Sequence, residues 1–301
     1  MAIVPFKKKL KTFQKPLDKS IKMWYNIYVE RRAMATSYGR KGERKKMNIL
    51  IFDNETTSLE KPFCYNSGYV VYNTDESKIV LKRDSVIEQV WHNFMLFTTA
   101  YYANKRELYV NRMRARQANL TKWGYYTQQL YRDIVEFEIT DAYAYNSSFD
   151  EKVFAFNCDW FKTINPLDSV KVHDIRGYVH QVIGWTDEFQ AFCDEHQYYT
   201  ESGNYSTTAE TVYRYLTNNT EFDEEHTALA DSVIECEILA ECVARGCEWN
   251  KDYKVYRSIT KNQVKQFEVI DAEGEKHIFE YTSKRKFNND NGLRFTIKQR
   301  G

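Results

Sequence analysis

The run Asn48-Ile49-Leu50-Ile51-Phe52 constrains this chain more than any other stretch. It is short, mostly apolar and rich in branched residues, and it ends at Asp53. Such a run, without alternation, reads as a strand buried on both faces, which a sheet covered by helices provides. Side chains alternate along a strand, so Asp53 and Glu55 leave the same face at its end. Neighbouring carboxylates repel, and each raises the other's pKa unless a cation sits between them. A bare Asp-x-Glu at a strand end is commonly two solvated acids, so the reading depends on what else the chain brings there.

The pattern beyond this run predicts an α/β fold. Strands are expected at 67–73 and 78–83 around a polar turn. Residues 85–120 read as mixed and helical, with an exposed basic stretch at 111–116. A helix over 126–138 would place Leu130, Ile134 and Phe137 on one face. The segment 141–150, DAYAYNSSFD, reads as a strand running into a polar turn. Helices are expected near 174–184, 186–196 and 206–217. The strongest helical signal covers 225–245, where Leu229, Val233, Cys236, Ala240 and Val243 form a stripe and Gly246 suits the C-terminal cap.

Net charge is +1, but it is segregated. Residues 1–46 carry +11, residues 47–250 carry −15, and residues 251–301 carry +5. These shifts divide the chain into a basic N-terminal extension (1–46) with one amphipathic helix near 19–34, a central domain (47–250), and a small β-rich appendage (251–301). The appendage is expected to hold a hairpin turning at 272–275 and an alternating strand through Leu293, Phe295 and Ile297. Acidic clusters suit hard divalent cations, and basic arms suit a polyanion.

Composition narrows the class further. With 43% hydrophobic and 28% charged residues, the chain has the balance of a soluble globular protein. It lacks an apolar stretch of roughly 18 residues, so no membrane-spanning helix is expected. The basic start has no apolar leader stretch of about 7 residues. The cysteines Cys64, Cys158, Cys193, Cys236, Cys242 and Cys247 form no Cys-x-x-Cys pair. Together these point to a reducing, cytoplasmic location with no membrane contact. No GxxxxGK[ST] or GxGxxG motif signals a nucleotide cofactor. His173 and His180, two helical turns apart, read as packing or surface residues.

Further acids and a histidine follow in order. Asp150 ends Tyr145-Asn146-Ser147-Ser148-Phe149, and His226 and Asp231 lie five residues apart at the start of the 225–245 helix. Ala228 and Ala230 would let that helix approach the sheet closely. Glu224 and Glu225 are expected to raise the pKa of His226 toward that of a useful general base. Four carboxylates can hold two divalent ions that clamp the attacking and leaving oxygens of a phosphodiester, while a histidine takes the proton of the attacking water.

In that order the motifs resemble those of the DnaQ-like 3′→5′ exonucleases of the DEDDh subclass. FDNETTSL (52–59) is similar to the first motif, FDxETTG; AYNSSFD (144–150) to the second; HTALADS (226–232) to the third, HxAxxDA. HDIRGY (173–178) resembles the stretch that follows the second motif. The resemblance covers 47–245. Ser58 departs from it, standing where a glycine is common. The resemblance implies a ribonuclease H-like mixed sheet flanked by helices. It implies that Asp53, Glu55, Asp150 and Asp231 bind two Mg²⁺ or Mn²⁺ ions, with Asp53 serving both. It implies His226 as the general base, Thr56 and Thr57 as contacts to the terminal nucleotide, and Asn146 and Phe149 as support for the second motif. The expected activity is 3′→5′ hydrolysis at single-stranded 3′ ends, DNA in preference to RNA, with a polymerase or other assembly partner in trans. Two alternatives remain at this level: an RNA-trimming exoribonuclease of the same fold, and a non-catalytic nucleic-acid-binding or assembly protein.

Overall fold

Ile49, Leu50, Ile51 and Phe52 are each at most 1% exposed, so the apolar run is buried on both faces as its lack of alternation predicts. The computed structural model describes residues 47–260 and the backbone of Lys265–Ile270 and Lys276–Tyr281. The helix expected near 19–34 and the strand near 293–297 lie outside the described residues.

The run belongs to β1 (Asn48–Thr56). It pairs antiparallel with β2 (Cys64–Asn73), which pairs antiparallel with β3 (Lys78–Ile87). The remaining strands, β4 (Asn119–Thr121), β5 (Asp141–Ala144) and β6 (Lys171–Asp174), are parallel to their neighbours. The result is a six-stranded mixed sheet in the order β4-β3-β2-β1-β5-β6. Its fold class is α/β, a mixed sheet with helices on both faces, in keeping with the ribonuclease H-like expectation.

Short helices α1 (Glu88–Trp91) and α2 (Phe94–Phe97) follow β3, then α3 (Arg106–Arg114). The longer helices are α4 (Trp123–Glu136), α5 (Ser147–Phe161), α6 (Ile175–Val182), α7 (Asp187–His196), α8 (Ala209–Thr217) and α9 (Ala228–Ala244). One core contains Leu50, Phe52, Trp123, Leu130 and Phe154, and so joins one sheet face to α4 and α5. The other contains Ile49, Ile51, Val179, Phe189 and Leu239, and so joins the opposite face to α6, α7 and α9. Even-numbered residues of β1 thus face α4 and α5, and odd-numbered ones face α9.

Three features differ from the sequence pattern. Residues 147–161 form α5 instead of a turn, because the polar Asn-Ser-Ser segment begins a helix. Asn146 takes the left-handed conformation (φ 62°) just before it. The α9 stripe is only partly right: Asp231, Ser232, Glu235, Ile238, Leu239 and Cys242 are buried, while Leu229, Val233, Ala240 and Val243 are half-buried. This helix packs on β1 and β2 on one side and on α6 and α8 on another, so it is covered almost all round. Within the basic stretch at 111–116, Arg112 turns inward and its side chain is only 14% exposed.

The approach of α9 to the sheet is closer than alanines alone would allow. A Cβ on Gly68 of β2 would lie 2.2 Å from the Leu229 nitrogen and 2.4 Å from the Ala228 carbonyl carbon. Gly68 is therefore what lets the helix backbone rest on the strand. Thr227, preceding α9, caps nothing with its side chain; instead Asn66 Oδ1 of β2 accepts the Ala228 N–H at 2.9 Å. Residues 251–260 continue along the domain surface, where Asp252 Oδ1 lies 2.7 Å from His173 Nδ1 and Ile259 is buried. Beyond them β7 (Lys265–Ile270) and β8 (Lys276–Tyr281) form the expected antiparallel pair.

Candidate active site

Period-2 alternation at the end of β1 decides the geometry of the acids. Asp53 and Glu55 continue the odd face and point toward α9; Asn54 continues the even face and points toward α5. On the odd side, carboxylate oxygens of Asp53, Glu55 and Asp231 lie within 4.8 Å of one another. On the even side, Asn54 Nδ2 donates to Asp150 Oδ1 at 2.9 Å. Asp150, in the first turn of α5 and 2% exposed, therefore stands across the strand end from the three-carboxylate group. The register shifts between Glu55, paired with Asn66, and Thr56, paired with Cys64, which leaves Tyr65 of β2 as the extra residue.

The acids are held in a medium that disfavours their charge. Burial raises Asp53 to about 7. Burial, then Asp53, raises Glu55 and Asp150 well above the carboxylate range. Asp231 is pushed up to about 10 by burial, then by Asp53, Glu224 and Glu55. Its Oδ1 is buried with no hydrogen-bond partner. An orphaned carboxylate oxygen beside two more carboxylates is a donor set that fits a hard divalent cation.

His226 lies in the left-handed region (φ 51°), in the loop entering α9. Its ring stacks on Tyr102 at 4.4 Å between centroids and 15° between planes. Its carbonyl accepts from Tyr109 Oη at 3.3 Å. Its Nδ1 lies 3.6 Å from Glu224 Oε2. The expectation that neighbouring glutamates raise its pKa is not met: burial, then Lys105, lower it, against weaker pulls from Glu210 and Asp223. Glu225 turns away to Arg112 and the Thr227 hydroxyl, while Lys105 Nζ donates to the Glu225 carbonyl at 2.7 Å. Burial and Lys105 thus favour the neutral ring, the form that can accept a proton.

The remaining residues singled out from sequence frame the acids. Thr56 is half-buried, and Thr57 is buried with its N–H donating to the Phe63 carbonyl. Asn146 is exposed, and its N–H donates to Asp174 Oδ1 at 3.1 Å. Phe149 packs against the α4–α5 core. His173 and His180 are both buried, in keeping with packing roles.

Glu235, Tyr65 and Tyr102 have no counterpart in the sequence reading, and Glu224 entered it only as a neighbour of His226. Glu235 is 4% exposed, accepts the Tyr145 N–H at 3.2 Å, and is raised well above its usual range by burial and then by Asp53. It lies one helical turn after Asp231, a spacing that could have flagged it. Glu224 is raised to about 7 by burial, then Asp53. Tyr65 Oη donates to Glu55 Oε2 at 3.4 Å. Nothing local in the sequence distinguishes Tyr65, Tyr102 or Asn54 from the many other residues of their kinds.

No family model matches this chain, and no curated protein matches it. Among solved structures it is similar to a 3′-exonuclease in 3′-end-specific recognition of histone mRNA stem-loop, at 12% identity over 90% of this chain and 84% of that one, with a TM-score of 0.41. It is also similar to Escherichia coli exonuclease I in complex with a dT13 oligonucleotide, at 12% identity over 66% of this chain and 41% of that one, with a TM-score of 0.44. A third is the nuclease domain of 3′hExo, a DEDDh family member, bound to rAMP, at 12% identity over 72% of this chain and all of that one, with a TM-score of 0.36. This chain thus spans less than half of the E. coli exonuclease I chain. Among the described residues, no helix is long and apolar enough to cross a membrane.

Proposed function

We propose that the chain is a metal-dependent 3′→5′ exonuclease that hydrolyses single-stranded nucleic acid from its 3′ end, DNA in preference to RNA. The observation that carries this reading is the convergence of Asp53, Glu55 and Asp231, with one buried Asp231 oxygen lacking a partner. The ordered resemblance of the three motifs supports the choice of reaction. Asp53, Glu55, Asp150 and Asp231 would hold two Mg²⁺ or Mn²⁺ ions, with Asp53 serving both. When bound, the ions neutralise the scissile phosphate and the charge on the attacking and leaving oxygens.

The protein groups do the rest. The Tyr102 stack fixes the His226 ring, and its neutral imidazole takes the proton of the attacking water. Glu224 lies where its charge stabilises the imidazolium so formed. Thr56 and Thr57, at the end of β1 beyond the register shift, would contact the terminal nucleotide. Asn146 and Phe149 would hold the start of α5, and with it Asp150. The basic segments 1–46 and 251–301 would flank the nuclease domain and carry the strand or a partner in trans, a polymerase being one candidate.

The test is a denaturing-gel time course on 5′-labelled single-stranded DNA and matched RNA with Mg²⁺, Mn²⁺ or EDTA. Stepwise shortening from the 3′ end, abolished by EDTA and by Asp53→Ala, is expected, with the faster ladder naming the sugar. An intact substrate under every metal condition, together with a gel shift, would mean that the fold serves binding alone.

A further inference from the structure

A second concavity lies beside the second motif and has the opposite chemistry. Its cavity of about 460 Å³ is lined by Asn146, Arg176, Arg257 and the hydroxyl residues Ser202, Ser206 and Thr208, among others. Residues 47–250 carry a net charge of −15, yet among the described residues no carboxylate lines this cavity. Arg176 Nε is buried and has no hydrogen-bond partner among the described residues. The acid nearest to it in sequence, Asp174, spends its Oδ1 on the backbone N–H groups of Asn146 and Arg176. No hydrogen bond within the described residues holds this guanidinium nitrogen, and Arg176 lines the cavity.

The walls are tied in place. Tyr205 bridges by backbone pairing to both Tyr199 and Ile259. Tyr145 Oη donates to the Thr207 carbonyl at 2.6 Å. His180 Nδ1 accepts the Tyr256 N–H at 3.0 Å, so its proton is on Nε2, 3.1 Å from Thr207 Oγ1. That bond leaves the Thr207 hydroxyl proton free to point elsewhere. Two guanidinium groups among hydroxyls, with no carboxylate among the lining residues, match the oxygens of a phosphate.

We propose that this cavity binds a phosphate group, supplied by the backbone of the strand whose 3′ end lies at the carboxylates. The anion site stands on its own chemistry; the strand as its source rests on the proposed function. Asn146 links the two places, lining the cavity and leading into the helix whose fourth residue is Asp150.

The test uses the full chain in EDTA, so that nothing is cleaved. The variants are Arg176→Gln, Arg257→Gln and, outside the cavity lining, Lys254→Gln. Inorganic phosphate should raise the melting temperature of the wild type saturably, and of Lys254→Gln equally, but not of either arginine variant. Binding of 5′-labelled dT12, read by anisotropy, should weaken about tenfold in each arginine variant. The slope of log affinity against log salt should fall by about 0.7 for each phosphate that is no longer neutralised. Arg257 is exposed, so its variant keeps the test valid should Arg176→Gln fold poorly. A lost phosphate effect with unchanged dT12 binding would support the anion site and overturn the strand as its source. No phosphate effect in the wild type, with all three variants binding dT12 alike, would overturn the site. A wild type stabilised by phosphate that leaves both dT12 and matched RNA intact in Mn²⁺ would sink the nuclease reading and leave this site standing.

Discussion

Asp231 carries two opposed demands at one residue. On the proposed function its carboxylate holds a cation, yet without one it is buried, crowded by three acids and missing a partner for Oδ1. Asp231→Asn should therefore abolish cleavage while raising metal-free stability by on the order of 1–3 kcal/mol at pH 8, read by urea titration in EDTA. A loss of stability would mean that the carboxylate is satisfied without metal. His226 differs, since it touches no ion in this scheme. His226→Ala should lower the cleavage rate by about 10²–10⁴-fold and leave Mn²⁺ binding near wild type, as measured by calorimetry. Weakened Mn²⁺ binding would make the histidine a ligand instead of a base.

At the scale of elements, the approach of α9 to β2 positions half the site. Gly68→Ala would drive a methyl group into the backbone of Ala228 and Leu229, which cannot swing aside. A loss of about 3 kcal/mol is expected by thermal melting, with cleavage falling as Asp231 and His226 shift together. Full stability in that variant would refute the close approach. The strand and helix carrying the paired acids were legible because their signals are local. β1 is a central strand, so its apolar run is uninterrupted, and period 2 puts Asp53 and Glu55 on one face. α5 was hidden because Asn146, Ser147 and Ser148 are turn formers by local preference. Only the sheet beside them makes this segment a helix start, with Phe154 packed edge-on against Phe52 of β1. β6 is four residues long and carries Lys171, His173 and Asp174, so nothing marked it as a strand. Asn54, Glu235 and Tyr102 join the site through tertiary placement alone. The direction of the His226 shift escapes a local reading for the same reason: Lys105 and burial reach it from outside its own segment.

For the whole molecule, the raised acids set a pH dependence. Asp53 and Glu224 at about 7, and Asp231 at about 10, hold protons in the fold that the unfolded chain has already shed. Their stabilising effect is complete below about pH 4 and is lost as pH rises through those values. In EDTA the melting temperature should fall between pH 5 and 9, and added Mg²⁺ should raise it more at pH 9 than at pH 6, because the ion replaces protons. A flat profile would mean that the carboxylates are solvated. Charge segregation acts at the same scale. Deleting residues 1–46, which carry a net +11, should weaken dT12 binding and flatten its salt dependence. An unchanged slope would assign the binding to the domain alone.

The seating of α9 on Gly68 also has a consequence in time. Asp53 and Glu55 leave the ribosome early, and Asp231 arrives only with the last helix of the domain, which must close back on the second strand across more than half the chain. Contacts of such long range form late in folding. Until then Asp53, Glu55 and Asp150 lack the fourth carboxylate of the proposed set. On the proposed function, the chain would gain its activity only when α9 has docked on β2.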